Sequence, residues 1–109
     1  MNPTEARVQH DILLAWGCHP MLRIARINVG AAKIRGTFVR FGVPGTADIV
    51  GLMLPHGRML QIECKTATGK QRKAQEVMQR VITRWGGLYI VARSVQDVDQ
   101  ALAAIGITR

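Results

Sequence analysis

Apolar and polar positions alternate with two different periods along this 109-residue chain, and the changes of period mark out its elements. Between Ala6 and Trp16, the apolar residues Val8, Ile12, Ala15 and Trp16 fall on one stripe at helical spacing. Asn2 at the cap, Pro3 in the first turn and Glu5 three residues after the cap give this helix a start, and Gly17 gives it an end. His19-Pro20 breaks the chain, and Met21 to Val29 predicts a first strand. From Gly30 to Gly45 four glycines punctuate a loop around a short strand-like run, Thr37 to Phe41. Asp48 to Lys65 then holds two apolar runs on either side of Pro55-His56-Gly57, the pattern of a β-hairpin. After a turn at Gly69, Ala74, Val77, Met78, Val81, Ile82 and Trp85 recur at helical spacing as one broad apolar stripe, closed by Gly86-Gly87. Leu88 to Ala92 predicts a short buried strand, and Ser94 caps a last helix with Val95, Val98, Ala101, Leu102 and Ile105 facing inward. The expected order is α-β-β-β-α-β-α, an α/β fold in one domain over residues 1–109, with no repeat, linker or low-complexity segment.

The hairpin carries its acids only at its open end, where Lys65 joins them, while Arg58 sits at the turn. Side chains alternate along a strand, so Gln61, Glu63 and Lys65 share one face while Leu60, Ile62 and Cys64 share the other. The second face is apolar enough to pack on a core; the first sets an acid beside a base. Asp48 joins the face of Glu63 only if paired residue numbers sum to an odd value. A two-residue His56-Gly57 turn, pairing Pro55 with Arg58, meets this condition and predicts Asp48 opposite Lys65 and diagonal to Glu63. Two carboxylates converging at a strand end suit Mg²⁺ or Mn²⁺, which keep several waters and take one or two protein carboxylates. A lysine beside them can hold an attacking water or offset negative charge developing on a phosphate.

The residues Asp48…Glu63-Cys64-Lys65 resemble the PD-(D/E)xK nuclease signature. Gly42-Val43-Pro44 before the Asp, Thr66-x-x-Gly69 after the Lys, and then Gln75 make the ordering similar to the VRR-NUC family, especially its short stand-alone viral and bacterial members. The resemblance runs from Glu5 to about Tyr89. One departure is visible: Gly45-Thr46-Ala47 stands between Pro44 and Asp48, where the family pattern commonly places the Asp directly after the Pro. The resemblance implies a restriction-endonuclease-like core, a mixed sheet flanked by helices. It implies Asp48, Glu63, Lys65 and Gln75 as the catalytic set, with Gln75 supporting a water or the scissile phosphate. Asp48, Glu63 and the Cys64 backbone carbonyl would be metal ligands. Glu5 is either a further ligand on the first helix or a capping-box carboxylate. The activity implied is phosphodiester hydrolysis on branched DNA such as flaps or four-way junctions. A symmetric homodimer would place two active sites on paired strands, with Met53, Met59 and Ile105 as candidate interface residues.

Composition sharpens the choice of partner. Fifteen Lys and Arg against seven Asp and Glu leave +8 and a pI near 10.8, which favours a polyanion. Lys33, Arg35 and Arg40 lie in the glycine-punctuated segment, suited to following a phosphate backbone. Lys70 and Lys73 either hold DNA or solvate the helix. The Gly-Lys-Ser/Thr ending of a nucleotide-binding loop is absent, which excludes an NTPase of that kind. Cys18 and Cys64 have no partners at zinc spacing, Cys64 reading as a buried thiol. With no signal core and no membrane-length apolar run, the expected location is the cytoplasm, that of the host if the protein is viral. The rival functions are a non-catalytic nucleic-acid-binding protein, a site-specific restriction enzyme and a structural phage component.

Overall fold

The computed structural model describes residues 2–27 and 30–109, without the side chains of residues 30–34 and 38–41. Helix α1 spans Glu5–Trp16, and its cap is Thr4, whose hydroxyl accepts the Arg7 N–H at 3.1 Å. The helical ladder starts there, with the Val8 N–H on the Thr4 carbonyl. Glu5 is therefore the first helical residue and belongs to no capping box with Asn2. Val8, Ile12 and Trp16 are buried on one face, as their spacing predicts.

Five strands, not three, precede the second helix: β1 (Leu22–Arg26), β2 (Gly30–Ile34), β3 (Thr37–Phe41), β4 (Ile49–Met53) and β5 (Arg58–Cys64). The two additional strands, β2 and β3, come from the segment expected to be a loop around a strand-like run at Thr37 to Phe41. Arg35 and Gly36 both have positive φ, 50° and 78°, so the chain doubles back within two residues and Ile34 pairs with Thr37. The β2–β3 ribbon forms its own two-stranded sheet. The main sheet has the order β1-β4-β5-β6, where β6 is Leu88–Ala92. Its first three strands run antiparallel, and β6 pairs parallel to β5 after the crossover through helix α2 (Lys73–Arg84). With α3 (Val95–Ala103), the molecule is a mixed α/β fold with a four-stranded mixed sheet and three helices. Among the described residues, no helix is long and apolar enough to cross a membrane.

The β4–β5 turn differs from the expected His56-Gly57 pair. Met53 pairs with Arg58, leaving a four-residue loop, Leu54 to Gly57. The Gly57 N–H closes it on the Met53 carbonyl at 3.0 Å, with Gly57 at φ 74°. Lengthening the loop by two residues keeps the parity and slides the register. Asp48 thus stands opposite Glu63 rather than Lys65, one step beyond the Ile49–Ile62 pair.

The core lies on one side of the sheet. Leu60, Ile62 and Cys64 of β5 meet Val8, Ile12 and Trp16 of α1 and Val98 and Leu102 of α3, with Ile49, Met53 and Ile90 filling between. Met53 is only 3% exposed, so it is core and not an interface residue. Ile105 is exposed, because α3 stops at Ala103 and Gly106 turns the chain so that Ile107 packs in its place. The Trp16 indole N–H donates to Asp99 of α3 at 2.9 Å, tying the two helices together. Trp16→Phe keeps most of the buried ring and removes this bond, so urea denaturation should show a loss of about 1–2 kcal/mol.

Helix α2 covers the other side, and its placement corrects the sequence reading. An apolar stripe is expected to face a core. Here Val77, Val81 and Trp85 are exposed, and the one fully buried residue of the helix is Gln75. The sheet surface below it carries Gln61, Glu63 and Lys65, all buried. A polar surface needs hydrogen-bonding partners, and the helix turns Gln75 toward it.

Candidate active site

Glu63 sits at the centre of this polar layer, 3% exposed. The Gln75 side-chain amide donates to Glu63 Oε1 at 2.7 Å, and its own Oε1 accepts the Arg72 N–H at 2.8 Å. The second bond fixes which way the Gln75 amide points. Lys65 Nζ lies 3.6 Å from the same Glu63 Oε1, and Lys65 is itself buried. Glu63 Oε2 is buried and accepts no hydrogen bond from the described residues.

The group beside Glu63 is a second carboxyl. Asp48 is anchored from both sides: its Oδ2 accepts the Cys64 N–H at 2.9 Å, and its carbonyl accepts the Ile27 N–H at 2.9 Å. Burial pushes the Glu63 carboxyl up to about 7, and the Asp48 charge raises it further. Lys65 pulls in the opposite direction, while the charge of Glu5 again raises it. Two adjoining carboxyls of this kind are held together by a proton or by a cation, since both cannot carry bare charge at close range.

The three residues inserted before Asp48 are bolted in place. Tyr89 donates its hydroxyl to the Gly45 carbonyl at 3.2 Å, and the Ala47 N–H donates to Gln61 Oε1 at 3.1 Å. Gly45, at φ 87°, lies so close to α2 that a Cβ there would stand 2.1 Å from the Ala74 carbonyl oxygen. Asp48 and Gln75 are thereby set against one another through Gly45. Burial, then the Glu63 charge, raises the Tyr89 hydroxyl, keeping it a neutral donor. The Cys64 thiol is likewise pushed up to about 12 by burial and then by the Asp48, Glu63 and Glu5 carboxylates.

Asp48, Glu63, Lys65 and Gln75, the predicted catalytic set, therefore meet in one place. Glu5 is exposed at the first turn of α1 and reaches the cluster through its charge. Arg35 is exposed at the turn of the β2–β3 ribbon, and Lys70 and Lys73 are exposed before and at the start of α2. The side chains of Lys33 and Arg40 lie outside the described residues. Sequence reasoning missed Gly45, Tyr89 and Arg93. The Arg93 guanidinium donates to the Thr66 and Gly69 carbonyls, tying down the loop that follows Lys65. Gln61 was legible as a member of the Glu63 face, but nothing in its spacing pointed to the Ala47 backbone.

Among the described residues no three His, Cys, Asp or Glu side chains converge as a metal-holding group. The donor set is narrower, a carboxylate pair with one unbonded buried oxygen, and it fits an ion such as Mg²⁺ that takes one or two carboxylates and completes its shell with water. Comparison with protein-family models, with curated proteins and with solved structures gives no match.

Proposed function

We propose that this protein is a metal-dependent endonuclease of the VRR-NUC type, acting on branched DNA. The observation that carries the reading is the buried Glu63 carboxyl with its unbonded oxygen, set beside Asp48 and flanked by Lys65 and Gln75. Burying an acid and a base on a polar sheet face under a helix costs stability, and such costs collect where chemistry is done. The four-stranded mixed sheet with a helical crossover into β6 is compatible with a restriction-endonuclease-like core. The net charge of +8 suits a phosphate backbone.

Asp48 and Glu63 would hold Mg²⁺ or Mn²⁺, with the Cys64 carbonyl as a further ligand; Glu5, exposed on the first turn of α1, would add its negative charge rather than a bond. When bound, the ion supplies positive charge that lowers the pKa of water and offsets charge on the phosphate. The chain's own residues do the rest. Gln75 braces Glu63 so that its second oxygen stays turned into the site. The Lys65 ammonium holds the attacking water and neutralises charge as its oxygen bonds to phosphorus and the ester oxygen departs. Arg35, Lys70 and Lys73, with Lys33 and Arg40, would hold the DNA backbone outside the reacting centre.

The test is cleavage of labelled linear duplex, flap and four-way-junction DNA with Mg²⁺, with Mn²⁺ and with EDTA. Metal-dependent cutting of the branched substrates, stopped by EDTA, is the expected result. Tight binding without cutting under either metal would replace this reading with that of a nucleic-acid-binding protein.

A further inference from the structure

Arg93 is the first residue past β6, and the sheet sets it next to Lys65. Strands β5 and β6 run parallel, with Glu63 paired to Val91 and Cys64 to Ala92. The Lys65 N–H continues this ladder onto the Ala92 carbonyl at 2.9 Å. Paired residues of neighbouring strands share a face, so Arg93 follows Val91 onto the face of Glu63 and Lys65, one strand spacing of about 4.8 Å away. Lys65 turns its ammonium inward onto Glu63, whereas Arg93 is exposed and lays its guanidinium outward along the loop after Lys65.

The guanidinium is held in a way that leaves it ready for an anion. Nη1 alone donates to both loop carbonyls, Thr66 at 2.5 Å and Gly69 at 2.7 Å. The edge formed by Nε and Nη2 has no partner among the described residues. That edge can grip an oxyanion through two parallel bonds, and Arg109 uses the same edge on Asp99 at 3.0 and 2.8 Å. Among the described residues no carboxylate lies in ion-pair range of Arg93, while Arg7 and Arg109 are each neutralised by an aspartate. Carbonyl acceptors fix the group without cancelling its charge. A fork fixed beforehand loses little further freedom when it meets its ligand.

We infer that Arg93 binds a phosphate of the cut strand beside the scissile one, through its Nε–Nη2 edge. The inference rests on the nuclease reading for its ligand. It adds a contact that sets the register of the strand against Lys65, close in, where the other exposed basic residues act further out.

The test reads binding in EDTA, by fluorescence anisotropy of a labelled DNA flap, so that no cleavage is required. Arg93→Gln keeps an amide donor for the loop carbonyls and removes the charge; Arg93→Lys keeps the charge and removes the fork. Arg93→Gln should bind about 10-fold more weakly, and its slope of log affinity against log salt should be shallower by about 0.9. Arg93→Lys should keep the wild-type slope. A purely structural role would lower the melting temperature and leave the slope of Arg93→Gln unchanged. Position is read by replacing phosphates of the cut strand one at a time with neutral methylphosphonate. Wild type should lose affinity at one flanking position where Arg93→Gln loses none. An unchanged slope in Arg93→Gln, or the same methylphosphonate profile in both proteins, would overturn the contact in a wild type that binds and cuts DNA. A wild type that neither binds nor cuts would remove the nuclease reading, and the contact with it.

Discussion

Glu63→Gln is expected to abolish cleavage, by about 10³-fold or more, and to make the metal-free protein more stable above pH 7. The two effects have one origin. The substituted amide matches the carboxyl in shape, still accepts from Gln75 and can donate toward Asp48, so the local packing survives. What disappears is a ligand oxygen and a charge. Glu63 has its carboxyl raised from 4.5 to about 7 in the folded chain. The folded state therefore binds this proton more tightly than the unfolded state does. Its contribution to stability is complete below pH 4.5 and is lost as pH rises through about 7, an effect on the order of 3 kcal/mol. Urea denaturation in EDTA should show wild type weakening across that interval and Glu63→Gln nearly flat. Adding Mg²⁺ at pH 8 should recover stability in wild type and not in the variant. Cleavage by Glu63→Gln near the wild-type rate would remove Glu63 from the reaction.

Lys65→Met should slow single-turnover cleavage by about 10²- to 10⁴-fold while leaving DNA affinity within a few-fold of wild type. The thioether side chain preserves the buried stem and deletes only the ammonium. Lys65 is buried and lies on Glu63, away from the exposed basic residues that would grip the backbone, so binding and chemistry should separate cleanly. Its charge is also the influence that lowers the Glu63 carboxyl. Without it the acid limb of the pH–rate profile should move upward, above the wild-type position. Loss of DNA binding in step with loss of cleavage would make Lys65 a backbone contact instead.

The parity of the β4–β5 hairpin was legible because apolar alternation on β5 leaves one choice of buried face. Placing Asp48 on that face also took an even-numbered loop, assumed as His56-Gly57 and found as the four residues Leu54 to Gly57. The loop length was not legible: Leu54 is apolar and looks like strand, yet its N–H bonds to the Met21 carbonyl on the β1 side while Gly57 closes the turn. The β2–β3 ribbon escaped because its turn residues, Arg35-Gly36, place an arginine at positive φ where asparagine or glycine usually announces the bend. Helix α2 misled for a different reason. Periodicity reports that a helix has an apolar flank, not which surface that flank meets, and here the sheet under α2 is polar. The supports from Gly45, Tyr89 and Arg93 join residues far apart in sequence through backbone carbonyls, and no side-chain pattern records such contacts.

The small anchorage of α2 has a consequence for how the site comes into being. Elements that rest on few buried apolar groups open locally at a fraction of the free energy of global unfolding. Of the three helices, α2 alone has a polar side chain, Gln75, as its one fully buried residue, and that residue closes onto Glu63. The helix and the carboxylate are thus two ends of one latch. Whatever occupies the carboxylate pair shifts the population of the closed helix, and whatever braces the helix from outside shifts the occupancy of the pair by the same factor.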